Sequence, residues 1–297
     1  MRNLDLDALQ IFKAVVDQGG VARAAARLNR VQSNVTTRVK QLEERLGTRL
    51  FERQKRRLVL SAEGKLLLSY AERLLALSSE AQAALRAGAP RGPFRLGTLE
   101  STAATRLPPI LARYHRKYPD VQIELVTGTT GALLDRVRNF EIEAAFVAVP
   151  QPAPELETLP VFAEELVLIG ARDAPRMRTP ADVGQRTLIA FAAGCSYRRL
   201  LEAWIGAPRA APHRVMEFGS YHAIIACVAA GTGVAIVPRA VVQALRAESD
   251  IALWPLTARF AKARTHLVWR RGQPSLALDA LIKELPRVAA RRAEPAR

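Results

Sequence analysis

Hydrophobic residues recur at helical spacing through the beginning of the chain, in three successive segments. They predict a first helix over Leu4 to Gln18, which Gly19 and Gly20 end. An alanine-rich segment at 22–28 predicts a short second helix that another helix can cross closely. The third segment has apolar residues at steps of four, three and four, and Gly47 is predicted to end it. Its predicted buried face consists of Val35, Val39, Leu42 and Leu46.

The opposite face of the third helix is polar and basic. Amide, hydroxyl and guanidinium groups suit hydrogen bonding to base edges, and a helix with an apolar back fits the major groove. That face carries Asn34, Thr37, Arg38, Gln41 and Arg45. The next residues, 50–60, predict two short strands around QKRR, a wing whose tip can reach phosphates or a narrow minor groove. The basic residues of the tip are Arg53, Lys55, Arg56 and Arg57.

Charge supports a nucleic-acid partner. Between Arg23 and Arg57 the chain has eleven basic and three acidic residues, and the 297 residues together carry a net charge of +16. Such an excess favours a polyanion, because neutralising phosphates releases counterions. The positive charge by itself would also be explained by a solvated basic surface or by binding to a membrane surface. The predicted helix pair and wing favour DNA over these alternatives. Non-specific architectural binding to DNA is a further alternative.

The sequence gives no sign of export or of membrane insertion. It has no apolar run long enough to span a bilayer, and its beginning, MRNLDLDALQ, lacks the apolar core of a signal peptide. Two cysteines are too few for a secreted disulfide scaffold. We therefore expect a cytoplasmic protein that makes no membrane contact.

A long helix is predicted from Ala62 to about Ala87, with Ser61 as its N-cap. Its apolar residues follow at alternating steps of three and four, in a heptad stripe. The stripe consists of Leu67, Tyr70, Leu74, Leu77, Ala81 and Ala84. Because a helix between two domains has no partner for such a stripe in its own chain, we expect a second copy to cover it. A homodimer with two DNA half-sites follows.

The residues GAPRGP at 88–93 break the long helix, and apolar strands then alternate with amphipathic helices, which is typical of an α/β fold. The strands ELVLIGA and THLVWR divide this region into two subdomains around a cleft. The predicted fold is therefore an α+β multidomain protein. It has a DNA-binding domain at 1–61, a linker and dimerisation helix at 62–88 and an effector-binding domain at 89–297. Subdomain I covers about 94–163 and 266–290, and subdomain II covers about 164–265.

Small and hydroxylic residues follow four of the predicted strands, each time at the start of a helix. Ordinary N-capping explains any one of these groups. Four of them at one cleft predict a site for a small polar molecule, bound by hydroxyls and backbone N–H groups at the carboxyl ends of strands. The candidate residues are Glu100, Ser101, Thr102, Gly128, Thr129, Cys195, Ser196, Tyr197, Arg198, Ser220 and Tyr221.

The sequence contains no catalytic constellation, so we expect neither an enzyme nor a metal site. The four histidines are scattered without the spacing of metal ligands, and Ser101 lacks the G-x-S-x-G setting of a hydrolase nucleophile. A redox sensor is the stronger alternative. Cys195 lies at a predicted helix N-terminus beside Arg198 and Arg199, which would lower the pKa of its thiol, whereas Cys227 is predicted to be buried.

Three segments resemble LysR-type transcriptional regulators: ARAAARLNRVQSNVTTRVKQLEERLGTRLFER, LSAEGKLLL and GTGVAIVP. The resemblance covers nearly the whole chain. It implies a winged helix-turn-helix, a long linker helix and a two-subdomain effector domain like a periplasmic binding protein. It also implies dimers or tetramers that bind promoter DNA, sense a small inducer without a further cofactor, and have RNA polymerase as a candidate partner. By the same resemblance Gln32, Ser33, Thr36 and Thr37 read bases, with Arg53 in the wing. Arg38 and Lys40 are further predicted DNA contacts.

The sequence departs from this family at the start of the recognition helix. Val31, Gln32, Ser33 and Asn34 stand where Ser-Gln-Pro-Ala is common, so the N-cap is expected at Ser33 or elsewhere, and Thr37 replaces a common arginine. A narrower resemblance links QSNVTTR, GTLESTAA and GCSYRR to regulators of putrescine utilisation. Glu100 suits an ammonium group and Arg198 a carboxylate. The expected effector is therefore an amine, an amino-acid derivative or a carboxylate.

Overall fold

The computed structural model describes residues 4–54, 57–85, 89–148, 152–206, 214–272 and 274–286. The chain divides into two compact units, of which the first covers residues 1–88 and 139–141 and the second residues 89–138 and 142–297. No helix among the described residues is both long enough and apolar enough to cross a membrane.

The first unit consists of three short helices, a two-stranded hairpin and a long helix. Its elements are α1 (Leu6–Asp17), α2 (Val21–Arg27), α3 (Gln32–Leu46), β1 (Phe51–Gln54), β2 (Arg57–Leu60) and α4 (Ala62–Leu85). Strands β1 and β2 are antiparallel, with Phe51 opposite Leu60. This is the predicted winged helix-turn-helix followed by the predicted long helix.

The core of the first unit lies where α1 packs on α3 and α4. Leu9 and Phe12 of α1 are fully buried with Leu42 of α3 and Leu50 of the following loop. Val35 and Val39 are buried against α1 and α2, as the spacing predicts. One residue of the predicted buried face is wrong: Leu46 is 39% exposed. It lies at the end of α3, where the neighbouring helices no longer cover the face.

Helix ends in the first unit differ in how they are capped. Asp5 accepts a hydrogen bond from the N–H of Asp7 at the start of α1, and Gly47 ends α3 in the left-handed region at a φ of 66°. Of the two alternatives expected for the N-cap of α3, Ser33 is wrong and the cap lies elsewhere. The N-cap of α3 is Val31, whose side chain has no hydrogen-bonding group to offer. The first N–H groups of α3 therefore receive no side-chain cap.

The start of α4 packs closely on the loop before the hairpin. Ser61 caps α4 as predicted, since its hydroxyl accepts from the N–H of Gly64 at 2.9 Å, and it donates to the carbonyl oxygen of Arg49 at 2.7 Å. A Cβ on Gly64 would lie 2.1 Å from the carbonyl oxygen of Leu50, so only glycine fits there. Leu67 and Ala71 are buried in the core of the unit.

The second unit alternates strands with helices, as predicted. Its strands are β3 (Gly92–Thr98), β4 (Val121–Thr127), β5 (Ala144–Ala148), β6 (Leu156–Ala171), β7 (Thr187–Ala190), β8 (Val215–Glu217), β9 (Gly233–Pro238), β10 (Ile251–Pro255) and β11 (Lys262–Arg270). Its helices are α5 (Glu100–Thr105), α6 (Leu107–Lys117), α7 (Thr130–Arg138), α8 (Pro180–Val183), α9 (Ser196–Ile205), α10 (Tyr221–Ala229), α11 (Arg239–Ala244) and α12 (Leu276–Glu284).

All nine of these strands belong to one sheet with the order β4-β3-β5-β11-β6-β9-β7-β8, and β10 also pairs with β6. Strand β3 is parallel to β4 and β5, and β7 is parallel to β8 and β9. We call β3–β5 with α5–α7 and α12 the first lobe, and β7–β10 with α8–α11 the second lobe. The long antiparallel strands β6 and β11 are common to the two lobes.

Strand β6 changes partners near its middle. Residues Leu156 to Glu165 pair with β11, and Leu166 to Ile169 pair with β9. The sequence predicted only the segment ELVLIGA of β6 and only the segment THLVWR of β11. The unpredicted half of β6, LETLPVFA, has mixed exposure instead of an apolar run, which explains why its pattern was not recognised.

One hydrophobic cluster extends through both lobes. It includes Leu133 and Val147 of the first lobe and Leu201, Trp204 and Val234 of the second. Each lobe also has a cluster of its own, around Phe94 and Tyr114 in the first and around Ile224 and Val237 in the second. The lobes therefore pack on each other through buried apolar side chains as well as through the shared strands.

Candidate functional site

The outward face of α3 is open to solvent. Six of the predicted contact residues are exposed, namely Gln32, Ser33, Asn34, Thr36, Thr37 and Lys40. Arg38 is half-buried. Because Val35, Val39 and Leu42 fix the other side of α3 in the core, this face is presented by a rigid helix. The hydroxyl of Thr36 donates to the carbonyl oxygen of Gln32 at 3.0 Å. This bond joins two exposed residues that lie one helical turn apart.

Two ionic side chains in this unit have structural roles that the sequence analysis did not foresee. The guanidinium of Arg30 donates to both oxygens of Asp7, at 2.7 and 3.1 Å. The carboxylate of Glu43 accepts from the N–H groups of Leu50 and Phe51, at 2.7 and 3.3 Å. These contacts fix the two ends of α3 to α1 and to the hairpin. Neither was predictable, because each joins residues that are separated by seven or more positions.

The tip of the wing is only partly described. Arg53 and Arg57 belong to β1 and β2, where Arg53 lies opposite Leu58 and Arg57 opposite Gln54. Lys55 and Arg56 lie outside the described residues, and so do the side chains of Arg53 and Arg57. All four stay predicted DNA contacts.

A cavity of about 400 Å³ lies between the two lobes of the second unit. It is bounded by the residues that follow β3 and β4 in the first lobe and β7 and β8 in the second. Seven of the predicted effector residues line it: Glu100, Ser101, Gly128, Thr129, Cys195, Tyr197 and Tyr221. The structure thus places residues from four separate segments at one site, each at the carboxyl end of a parallel strand.

The other four predicted residues have different positions. Thr102 is fully buried in α5 and is absent from the lining. Ser220 caps α10 by accepting from the N–H of His222 at 3.2 Å, so here ordinary capping is the observed role. Ser196 and Arg198 are engaged with other protein groups. Neither of them is among the residues that line the cavity.

Ser196 connects the two lobes. Its buried hydroxyl lies 2.9 Å from the carbonyl oxygen of Ala148 and 3.0 Å from the hydroxyl of Thr130, both in the first lobe. It also accepts from the guanidinium of Arg199 at 3.2 Å. The N–H of Gly131 donates to the carbonyl oxygen of Gly194 at 3.4 Å nearby. These bonds tie the start of α9 to the start of α7.

Arg198 is paired with two carboxylates. It donates to Glu202 of the next helical turn at 2.8 Å and forms a close ion pair with Glu217, which lines the cavity. The ion pairs and hydrogen bonds raise the pKa of the Arg198 guanidinium, the bond to Glu202 most of all. Its positive charge is therefore matched within the protein. The sequence analysis missed this, because Glu217 follows 19 positions later.

Glu100 differs from Glu217 in having no cationic partner among the described residues. One carboxylate oxygen accepts a long bond, 3.4 Å, from the N–H of Tyr221, and the other is buried without a hydrogen-bond partner among the described residues. Burial raises the pKa of Glu100, while the N–H of Tyr221 and the imidazole of His222 act in the opposite direction. An unpartnered carboxylate at the wall of a cavity is an unsatisfied acceptor that a ligand can fill.

The remaining walls are largely aromatic. Phe191 and Phe218, together with Tyr197 and Tyr221, line the cavity, and the rings of Phe191 and Tyr221 meet edge-on with centroids 4.8 Å apart. Sequence reasoning missed Phe191, Glu217 and Phe218. Phe191 ends the apolar segment TLIAF (187–191), and Glu217 and Phe218 end the segment RVMEF (214–218). The sequence predicts both segments as strands, so extending each candidate group by one or two positions would have included these residues.

The redox hypothesis for Cys195 is not supported by its surroundings. The thiol is buried, and burial raises its pKa more than the N–H groups of Arg198 and Tyr197 and the nearby guanidinium charges lower it. The expected direction was the reverse. It failed because the sequence does not show that the thiol is buried, and burial outweighs the lowering effect of Arg198 and Arg199. Cys227, which was predicted to be buried, is half-buried.

No group of three or more His, Cys, Asp or Glu side chains that could hold a metal ion occurs among the described residues. Chemically, the cavity offers one unpaired carboxylate, hydroxyl groups, backbone amides and aromatic faces.

Comparison with family models gives two matches. A model described as "Bacterial regulatory helix-turn-helix protein, lysR family" matches residues 6–65. A second, described as "LysR substrate binding domain", matches residues 87–290. The first contains α1–α3 and the hairpin, and the second contains the sheet and the cavity.

Individual proteins are similar over the same length. The uncharacterized HTH-type transcriptional regulator YusT of Bacillus subtilis (strain 168) is 42% identical over 264 residues, covering 89% of this chain and 88% of that protein. The HTH-type transcriptional regulator SoxR of Arthrobacter sp. (strain TE1826) is 37% identical over 268 residues, covering 90% and 91%.

Solved structures share the fold. A full-length OxyR variant from Pseudomonas aeruginosa gives a TM-score of 0.75 at 24% identity, with 96% of this chain and 95% of that chain covered. Full-length CbnR in complex with its target DNA gives 0.65 at 24% identity, covering 95% and 99%.

Proposed function

The chain belongs to the LysR family of DNA-binding transcriptional regulators with an effector-binding domain, and on that basis we propose how it works. The exposed face of α3 contacts promoter DNA, and the cavity between the lobes holds a small molecule that changes this contact. The observation that carries the proposal is the cavity itself, since strand ends from both lobes meet there around an unsatisfied carboxylate. The family is not enzymatic, and its members named above are regulators.

DNA binding through α3 is supported by the opposite characters of its two faces. Val35 and Leu42 are buried, while Gln32 and the residues beside it are exposed. The likeness to CbnR, which was solved with its target DNA, supports the same use of this unit. Gln32, Ser33 and Thr37 are the proposed base contacts, with Arg38 and Lys40 toward phosphates. We place the protein with its promoter in the cytoplasm.

LysR regulators form oligomers, and α4 is the proposed interface for a dimer. Leu66, Tyr70 and Leu77 are 60%, 49% and 57% exposed in the single chain, and Leu74 is also exposed. Leu67, which was predicted for this stripe, is instead buried in the core of the first unit. A second copy of α4 would cover the exposed residues and bring two recognition helices to two half-sites. Pairing of such dimers would give the predicted tetramer.

The proposed signal is a change in how the lobes pack. A ligand in the cavity touches both lobes, so it stabilises one relative position of them over another. The bonds of Ser196 to Thr130 and Ala148 join the two lobes, and such a movement would strain or relieve them. The effector is the only ligand we propose besides DNA. RNA polymerase stays a predicted partner, and the narrower resemblance to putrescine regulators stays a prediction.

Footprinting of the full-length protein on its own promoter region tests the proposal. The expected pattern is two protected half-sites separated by one helical turn of DNA or a small multiple, and a change in their spacing or protection when an effector is added. Uniform protection along the DNA would favour non-specific architectural binding. A footprint that no ligand of the cavity alters would contradict regulation through the cavity.

A further inference from the structure

The cavity between the lobes is acidic and aromatic. Its described lining contains two carboxylates, Glu100 and Glu217, and no lysine, arginine or histidine. From this composition we infer that the effector is a small organic cation, an amine with an apolar body, whose ammonium group pairs with Glu100. The inference rests on the proposed function and narrows its ligand to one chemical class.

Glu100 is the residue that makes the cavity favour a positively charged ligand. One of its oxygens has no hydrogen-bond partner among the described residues, and the other has only the long bond from Tyr221. Glu100 is partly buried, lines the cavity and has no cationic partner among the described residues, so a protonated amine in the cavity supplies the opposite charge and a hydrogen-bond donor that the protein does not provide. A carboxylate ligand would instead place a second negative charge beside the first.

Arg198 does not make the cavity favour a negatively charged ligand. Its guanidinium is shared between Glu202 and Glu217, so the group that was predicted to favour a carboxylate ligand is neutralised by the protein. Binding an anion there would require Arg198 to leave Glu217. The leftover Glu217 would then add a further negative charge at the lining of the cavity.

The aromatic walls suit the rest of such a molecule. Phe191 and Phe218 offer apolar surface, and the faces of aromatic rings also attract a cation. The hydroxyl of Tyr197 is buried and lacks a well-aligned hydrogen-bond partner among the described residues, although Ser101 and Thr265 lie close enough to affect its pKa. A volume of about 400 Å³ limits the ligand to a small molecule.

A neutral Glu100 is the competing interpretation. Burial raises the pKa of this carboxyl, and a protonated Glu100 could donate a hydrogen bond to a neutral or anionic ligand. The two interpretations predict opposite behaviour of Glu100→Gln. Glutamine keeps a hydrogen-bond donor but has no charge, so it preserves binding only if the acid was neutral.

Calorimetric titration of the full-length protein separates them. The probes are benzylamine and n-butylamine, each compared with the carboxylate that has the same number of carbons, benzoate or butyrate. We expect each amine to bind at least about tenfold more tightly than its carboxylate, since one charge-assisted hydrogen bond corresponds to about that factor. Glu100→Gln should lose at least about tenfold of the amine affinity, whereas Glu248→Gln, an exposed glutamate of the same unit, should lose none.

Each other outcome overturns the inference. It fails if neither amine binds, if the carboxylates bind as tightly, or if Glu100→Gln retains the amine. If Glu100→Gln does not fold, the affinities of the unaltered protein for the amines and the carboxylates still test the inference. The footprint distinguishes the two proposals: a carboxylate that binds and alters the footprint refutes only the cation, whereas a bound amine that leaves the footprint unchanged refutes only the regulation.

Discussion

The guanidinium of Arg30 donates to both carboxylate oxygens of Asp7, at 2.7 and 3.1 Å, across 23 positions of the sequence. This pair joins the residue just before the recognition helix to the first turn of α1. One of the basic residues that the sequence analysis assigned to a DNA-binding surface is thus matched by an acidic one. The pair holds the loop before α3 against α1, and the charge of Arg30 is matched by that of Asp7.

Replacing Asp7 by asparagine tests the role of this pair through its pH dependence. The hydrogen bond from Arg30 lowers the pKa of Asp7. A lowered pKa in the folded state means that the pair stabilises the protein above the ordinary pKa of the carboxyl, and that this stabilisation is lost as the pH falls through the lowered value. Asp7→Asn should therefore lower the melting temperature slightly at neutral pH and have no effect in strong acid. Glu44→Gln, an exposed change on α3, is the matched control for thermal unfolding.

Gln32→Ala tests base reading by α3. Removing a side chain that contacts a base edge should cost about 1–3 kcal/mol of specific binding and relax the preference at one base pair. Gln10→Ala makes the same change at an exposed position of α1 and should leave operator affinity as it was. Titrations against the operator and against single-base variants measure both effects. Unchanged affinity of Gln32→Ala would refute the assignment of this residue.

Gly64→Ala tests the close packing at the start of α4. Its new Cβ would lie 2.1 Å from the carbonyl oxygen of Leu50, which belongs to the backbone and cannot rotate away. We expect a loss of about 1–3 kcal/mol of unfolding free energy, the usual cost of overpacking. The midpoint of denaturant unfolding reports it, with Lys65→Ala, exposed in the same turn, as control. Equal stability of the two variants would mean that α4 shifts freely.

Cys195→Ser tests the redox alternative. Because burial raises the pKa of this thiol, little of it is thiolate at neutral pH, and alkylation by iodoacetamide should be slow compared with a free thiol. Regulation in the presence of peroxide should be the same for Cys195→Ser and the unaltered protein. A response to peroxide that disappears in Cys195→Ser but persists in Cys227→Ser would restore oxidation sensing.

Periodicity was a reliable guide to the elements and a weaker one to what the side chains do. The steps between Val35, Val39 and Leu42 predicted the buried face of α3, because burial of a helix face leaves a repeating pattern. Leu46 and Leu67 were assigned wrongly, since the pattern does not show where a neighbouring helix ends or begins. The fold class was confirmed by the strands and helices found in the predicted order.

In the candidate site, too, the positions of the residues were predictable, whereas the interactions of their side chains were not. Strand ends indicated Glu100, Gly128 and Tyr221, because topology alone brings the carboxyl ends of parallel strands together. The charge of the cavity was not predictable. It depends on whether Arg198 is free, and that is decided by Glu217, a contact between segments that no local pattern records.

Strand β6 runs unbroken from Leu156 to Ala171 and exchanges β11 for β9 at Glu165 and Leu166. The two lobes are therefore not joined by flexible linkers at this point, because they share one continuous strand. The backbone on either side of this exchange is already held by neighbouring strands, so the freedom left to the lobes is torsion about a short stretch of chain. We therefore expect a ligand that contacts both lobes to rotate one lobe against the other about this stretch of β6.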